Sequence, residues 1–293
     1  FGLAPALRSA RVAVRAQLTG GGTRGGSGRQ SRLRGALVSA QFALSLAVLV
    51  TAGLFLRRLE DLKRVDRGFR APEQVALLTV DYELSAINND SLQRGYTARI
   101  VDRVAALPGV QGAAAATFVP LGFLGYSAAR VDVDGYAARP GEPMTFLFNR
   151  VSSGYFNTMG IPLRRGRTID ATDGRDAEPV AVVNEAFAYR FWSGEVPVGR
   201  RIRLDGRPFT VIGVAGDGKY EFTAPLDQPS PPFVYVPYAQ WGGFSVVIHA
   251  RTTGDPLAMV PAIQHAVSTV DPRLSATSPG TLEAYSSVPY LPI

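Results

Sequence analysis

Catalysis needs nucleophiles, bases or metal ligands at workable spacing, and this sequence carries few. It has no cysteine and only two histidines, His249 and His265. That excludes thiol nucleophiles, disulfides and zinc sites built on thiolates. The nearest approach to a phosphate loop is Gly213-Val-Ala-Gly-Asp-Gly-Lys-Tyr220. It places tyrosine where a Walker A loop needs the hydroxyl that reaches Mg²⁺. The prolines beyond it (Pro225, Pro229, Pro231, Pro232) forbid the helix whose N-terminus would face the phosphates. The segment reads instead as the tight exit from a strand over Phe209–Val214. Gly20-x-Gly22-x-x-Gly25 has the glycine spacing of a dinucleotide fingerprint, but no strand leads into it and no acidic residue follows at the required distance. It is an accident of composition.

Carboxylates offer little more. Asp132 and Asp134 lie two apart and share a strand face, a spacing that can bind a cation. Their alternation with Val131 and Val133 fits a solvated sheet face better. Asp170, Asp173 and Asp176 suggest a calcium loop, yet the EF-hand order and its closing glutamate are missing. Neither a Gly-x-Ser-x-Gly elbow nor a His-Glu-x-x-His pair occurs. With His249 on a strand and His265 on a helix, packing or exposure accounts for both. The sequence therefore assigns no catalytic, cofactor-binding or metal-ligating residue and implies no cofactor. The aromatic residues Tyr155, Phe156, Phe187, Tyr189, Phe191, Trp192, Tyr235, Tyr238 and Trp241 read mainly as core. A surface for an amphipathic ligand is the sharper alternative.

The charge is concentrated at one end. Lys plus Arg number 31 against 24 Asp plus Glu, a net +7. Residues 1–34 hold seven arginines and no acid, which leaves 24 basic and 24 acidic residues over the rest. The basicity belongs to an arm, and the balanced remainder gives no footprint for nucleic acid. Next comes Gly35–Leu56, 22 residues without a charge, flanked by Arg32, Arg34, Arg57 and Arg58. As a helix it reaches roughly 33 Å, enough to cross a hydrocarbon core about 30 Å thick. A buried core helix or a cleaved signal peptide fits this length and placement less well. Ala36, Ala40, Ala43 and Ala47 make a small-residue ridge suited to close packing against other spans. Flanking basic residues number five before and six after, too even to orient the span.

Around these features the elements follow from periodicity. Residues 1–18 are mildly amphipathic, and 20–31 form a Gly/Ser linker. The pattern predicts strands at Val75–Tyr82 and Val110–Phe118 with a helix over Ser91–Leu107 between them. A strand at Phe244–Arg251 precedes a helix capped by Asp255-Pro256, in which Pro261 should bend the helix or delay its start. An extended piece follows Asp271-Pro272. Between these two strand–helix–strand units, residues 120–240 read as strands and turns, with a hairpin around Asp205-Gly206 and one helix, Asn184–Trp192. The expected fold is α+β: an N-terminal transmembrane helix, then a split βαβ domain carrying an inserted β-rich subdomain.

Several stretches carry a resemblance. Val151-Ser-Ser-Gly-Tyr-Phe-Asn-Thr-Met-Gly-Ile-Pro-Leu-Arg-Arg-Gly-Arg167 and Val180-Ala-Val-Val-Asn-Glu-Ala-Phe-Ala-Tyr-Arg-Phe-Trp192 resemble the MacB-like periplasmic core domain. Val198-Gly-Arg-Arg-Ile202, Val211–Tyr220, Val234-Tyr-Val-Pro237 and Leu107-Pro-Gly-Val110 do so as well. Phe1–Arg11 followed by the apolar span is similar to the middle of an FtsX-like ABC transporter permease, as in the duplicated permeases of acidobacteria. The resemblance implies residues 1–34 as a cytoplasmic connector and 35–56 as a crossing of the cytoplasmic (inner) membrane. It implies 57–285 as an extracytoplasmic core domain, with porter-like parts at about 71–119 and 241–280 and a β-rich insert at about 120–240. Residues 286–293 would begin a further permease region, so the chain is expected to be a fragment. A separate ABC-type ATPase and other permease helices or a second permease copy are implied partners, together with the lipid bilayer. The expected function is non-catalytic: transmitting ATP-driven motion to an outer domain that exports a substrate. The alternatives are a single-pass anchored ligand-binding or sensor module and, more weakly, an anchored hydrolase.

Overall fold

An uncharged run this long satisfies its backbone polar groups in lipid only as a helix. In the computed structural model it lies within helix α1, Ser27–Lys63. The structure describes residues 27–63, 66–122, 126–221 and 228–287. The readings for residues 1–18, the glycine fingerprint and the last six residues therefore lie outside it. The helix overruns the apolar stretch at both ends, and residues 27–31, read from composition as linker, are its first turns. Once a helix is nucleated each further residue adds a hydrogen bond, and Arg and Gln are good helix formers, so elongation outweighs one glycine and two serines. Within α1, Gly35–Arg57 is long and apolar enough to cross a membrane, and none of it is buried. Thr51 returns its hydroxyl to the carbonyl of Ala47 at 2.8 Å, as a polar group in lipid must.

The chain divides into units 1–61 and 62–293. The second is built on one sheet. Its strands are β1 (Val75–Asp81), β2 (Val110–Ala116), β3 (Ser127–Val133), β4 (Thr145–Val151), β5 (Leu163–Gly166) and β6 (Val180–Asn184). After them come β7 (Arg201–Leu204), β8 (Arg207–Ala215), β9 (Phe233–Pro237), β10 (Ser245–Thr252) and β11 (Ser275–Thr281). The helices are α2 (Asp90–Ala105), α3 (Tyr155–Met159), α4 (Glu185–Trp192), α5 (Tyr238–Trp241), α6 (Pro256–Ser268) and α7 (Leu282–Ser287). The strand order is β11-β1-β10-β2-β4-β3-β7-β8-β6-β9, and β9 pairs back onto β4.

At one end of this order, β1 and β2 both run antiparallel to β10 between them, and β11 lies antiparallel on the far side of β1. Strands buried on both faces lose the polar alternation of a half-exposed sheet. In β1, Ala76, Leu78 and Val80 pack with Ile100 and Val104 of α2 and Ile263 and Val267 of α6. Val75 and Leu77 face the other way, toward Tyr155 and Phe156 of α3. At the other end, β4, β3, β7, β8, β6 and β9 close into a ring through the parallel β4–β9 pair. A third core fills it, with Phe146, Phe148, Phe187, Trp192 and Phe209. Tight Asp205-Gly206 closes the β7–β8 hairpin, both residues at positive φ.

Pro261 neither delays α6 nor ends it, since the helix runs through it from Pro256. A proline there removes only the donor to the carbonyl of Leu257, whose residue is 53% exposed, so water replaces the lost bond.

Candidate functional site

The second unit holds a cleft of about 630 Å³, within the range that holds small ligands. One wall is a stripe of α2: Arg94, Ala98, Val101, Asp102 and Ala105. These lie beside the face that α2 buries (Tyr96, Ile100, Val104), so helical periodicity puts core and cleft on adjacent stripes. Asn89 fixes where the helix starts by accepting from the Leu92 amide at 3.0 Å. Gln111 to Ala113 of β2 continue this wall.

Further lining comes from the end of β4 and the turn into α3, Val151 to Gly154, with Asn157 and Thr158. The Ser152 hydroxyl accepts from the Ala115 amide at 2.8 Å, locking this turn to β2. The loop carrying Ile169 to Gly174 closes the side. There Arg167 donates both guanidinium ends to Asp173, each at 2.7 Å, and the Asp170 amide donates to Asp173 at 3.0 Å. At one end Arg251 reaches across from β10. Its Nε donates to the carbonyl of Thr158 at 2.8 Å and an Nη to that of Arg70 at 2.7 Å. Burial holds its guanidinium below the usual range. Arg94 ion-pairs Asp90 at 2.6 Å.

Arg94 and Asp173 thus have charged partners here, and Arg251 clamps carbonyls. The cleft offers mixed apolar and polar walls, an arrangement that binds and positions. Two of the three aspartates weighed for calcium have other partners: Asp173 pairs with Arg167, while Asp170 accepts from the Thr172 amide at 2.8 Å. Among the described residues no three His, Asp or Glu side chains group to hold a metal. Asp132 and Asp134 pair with Arg130 at 3.3 Å and Arg203 at 3.0 Å on an exposed face.

The would-be phosphate loop is packed against its neighbours. A Cβ on Gly213 would stand 2.2 Å from the carbonyl oxygen of Arg167, Asp217 accepts from the Ala186 amide at 2.8 Å, and Tyr220 stacks on Phe233 at 3.7 Å. His249 is fully buried on β10 and does not line the cleft, with its imidazole pushed down to about 4 by burial; His265 is exposed on α6. Of the nine aromatics singled out, Tyr189 is the strongly exposed one, and Tyr155, Phe156, Phe187, Trp192, Tyr235 and Tyr238 are buried core.

Sequence reasoning missed Arg94, Arg251 and the cleft itself, because its walls come from segments far apart in the chain. One signal did exist. The stretch Val151–Arg167, quoted above for its resemblance, forms the wall from β4 to α3.

An apolar helix long enough to span a bilayer is thus followed by a mixed α/β domain with a ligand-sized cleft. Residues 36–266 match the MacB-like periplasmic core domain, and the chain belongs to that family, one of ABC-transporter permeases with the folded domain outside the cytoplasm. Among curated relatives, the macrolide export ATP-binding/permease protein MacB of Mannheimia succiniciproducens is 33% identical over 63 residues, 22% of this chain and 10% of that protein. A probable export ATP-binding/permease protein of Pseudomonas fluorescens is 33% identical over 96 residues, 32% of this chain and 14% of that protein. The matched stretches span about a tenth of the length of these relatives. Among solved structures, the periplasmic region of MacB from Actinobacillus actinomycetemcomitans aligns over 76% of this chain and 95% of its own, at 15% identity and a TM-score of 0.48. The extracellular domain of the ABC-type transporter YknZ from Gram-positive bacteria aligns over 70% and 100%, at 13% identity and a TM-score of 0.44.

Proposed function

We propose that this chain is the extracytoplasmic coupling part of an ABC-transporter permease subunit in the cytoplasmic (inner) membrane. Gly35–Leu56 crosses the bilayer and residues 1–34 lie in the cytoplasm. A separate ATPase supplies the hydrolysis, and other permease helices or a second permease copy complete the membrane part. Residues 71–119 and 241–280 act as one porter-like unit and 120–240 as a β-rich insert, and their relative motion drives export of a substrate. The observation that carries this reading is the cleft, lined by α2 and β2 from the first part and by the β4–α3 turn and the 169–174 loop from the insert. A shift between those parts changes its width. Family membership supports the permease context.

The test uses the full permease assembled with its ATPase. This chain has no cysteine, so with any cysteines elsewhere in the assembly replaced, Ala98→Cys and Ala171→Cys place one spin label on each part of the cleft lining. The distance distribution is expected to shift between the nucleotide-free and ATP-bound states. An identical distribution in both states rejects coupling.

The cleft's volume also favours a second reading, a single-pass anchored module that senses or binds a ligand. In that case a ligand narrows the same distance distribution with no ATPase present.

A further inference from the structure

Two arginines, Arg190 on α4 and Arg150 on β4, each lie over a pair of aromatic rings. Arg190 lies over the rings of Phe146 and Phe191, 4.9 and 5.1 Å from their centroids. Its charge is neutralised by Glu142 at 2.8 Å, and the carbonyl of Pro143 takes a further bond at 3.0 Å. Arg150 lies over Phe148 and Trp241, at 5.2 and 5.7 Å. It has no such counterpart: among the described residues no carboxylate pairs with its guanidinium, and its buried Nε has no acceptor.

Arg150 instead faces a hollow of about 340 Å³ that it shares with Asp90, Gln93, Trp241, Gly242 and Phe244. Asp90, the carboxylate on that wall, is already engaged by Arg94 at 2.6 Å. Backbone fills the remaining approach: Gly242 has φ +76°, and a Cβ there would meet Asp90 Oδ1 at 2.2 Å. Trp241 is held in place by stacking on Phe209, 5.6 Å apart and 6° from parallel, with Arg207 over it at 4.6 Å. Arg207 also lacks a carboxylate partner among the described residues, and donates to the carbonyl of Gln240 at 3.1 Å. Phe244 stands at the rim, 69% exposed. A desolvated guanidinium without a counter-charge is costly, and a planar oxyanion meets its fork with two parallel bonds.

We propose that Arg150 is the anchor of a binding site for an organic carboxylate. The carboxylate takes beside Arg150 the place that Glu142 takes beside Arg190, and the ligand's flat apolar body lies between Trp241 and the exposed ring of Phe244. Charge and shape both point to this class: Arg150 and Arg207 border one indole, and Trp241 and Phe244 supply the hollow's aromatic surface.

Benzoate is the probe, titrated into the full chain in detergent micelles. The chain has two tryptophans, so Trp192→Phe leaves Trp241 as the reporter of its own pocket. Benzoate is expected to give a saturable change in emission, acetate to bind about tenfold more weakly, and the neutral isostere benzamide not to saturate. Arg150→Gln is expected to weaken benzoate at least about tenfold while the melting transition is kept. Should Arg150→Gln fail to fold, Phe244→Ala at the exposed rim decides, because it should remove the advantage of benzoate over acetate and leave acetate unchanged. Absent saturation by benzoate, equal binding of benzamide or inorganic phosphate, or unchanged affinity in a folded Arg150→Gln chain each overturns the assignment.

Discussion

Arg251 on β10 donates from Nε to the carbonyl oxygen of Thr158, next to the end of α3, at 2.8 Å. The same guanidinium donates to the carbonyl of Arg70 at 2.7 Å. One side chain therefore binds the segment before β1, the strand β10 and the helix that walls the cleft. Backbone carbonyls at helix ends lack intrahelical donors and depend on such partners.

Replacing this clamp by an apolar chain of similar length leaves those carbonyls without a donor. Arg251→Met is expected to cost about 1–3 kcal/mol, and each kcal/mol lowers Tm by about 2–4 °C in a domain of this size. Calorimetry of the chain in detergent reads the change. A melting temperature equal to the parent's would show that water satisfies the carbonyls.

His249 gives the fold a pH dependence. Its ring meets that of Tyr155 edge-on at 5.5 Å, Nδ1 is 2.9 Å from the carbonyl oxygen of Val247, and Nε2 has no partner. Burial pushes the imidazole down to about 4. The unfolded chain, with an ordinary histidine near 6.5, binds a proton that the folded chain refuses over the interval between. Stability from this residue is therefore complete above about pH 6.5 and falls as pH drops toward about 4, by at most about 1.4 kcal/mol per pH unit. Melting temperatures from pH 7 to pH 4.5 should decline in the parent, with a flatter profile in His249→Leu. Parallel profiles would exclude His249 as the source.

Asn149 of β4 is a buried polar junction. Its Oδ1 accepts from the Thr117 amide at 3.1 Å and the Thr117 hydroxyl at 3.0 Å, and its Nδ2 donates to the carbonyl of Phe118 at 3.0 Å. Asn149→Ala strands these groups away from water and should destabilise by about 2–3 kcal/mol. Urea unfolding measures it, and a loss below about 0.5 kcal/mol, the scale of a surface substitution, contradicts the junction.

Local chemistry made much of this fold readable. Asn89, Asn184 and Asp255 cap α2, α4 and α6 as their residue types suggest, each accepting from an amide of the first turn. The alternation of Val131 with Asp132, and the Asp-Gly turn at 205–206, mark β3 and the β7–β8 hairpin. Pairing between distant segments was not readable. The β4–β9 contact matches Leu147 with Phe233, and nothing local to either strand announces that it closes a ring. The cleft was hidden for the same reason, since Ala98, Thr158 and Ala171 meet only after the sheet has formed. Arg150 reads as an ordinary basic residue until its lack of a carboxylate partner is set beside the Arg190–Glu142 pair.

The central claim is that Gly35–Leu56 passes through a bilayer and separates residues 1–34 from the folded domain. Single cysteines at Arg34→Cys and Lys219→Cys in the cysteine-free chain, treated in intact spheroplasts with a membrane-impermeant maleimide, test it directly. Lys219→Cys should be labelled at once, and Arg34→Cys only after the membrane is permeabilised. Labelling of both positions from the same side would contradict the account.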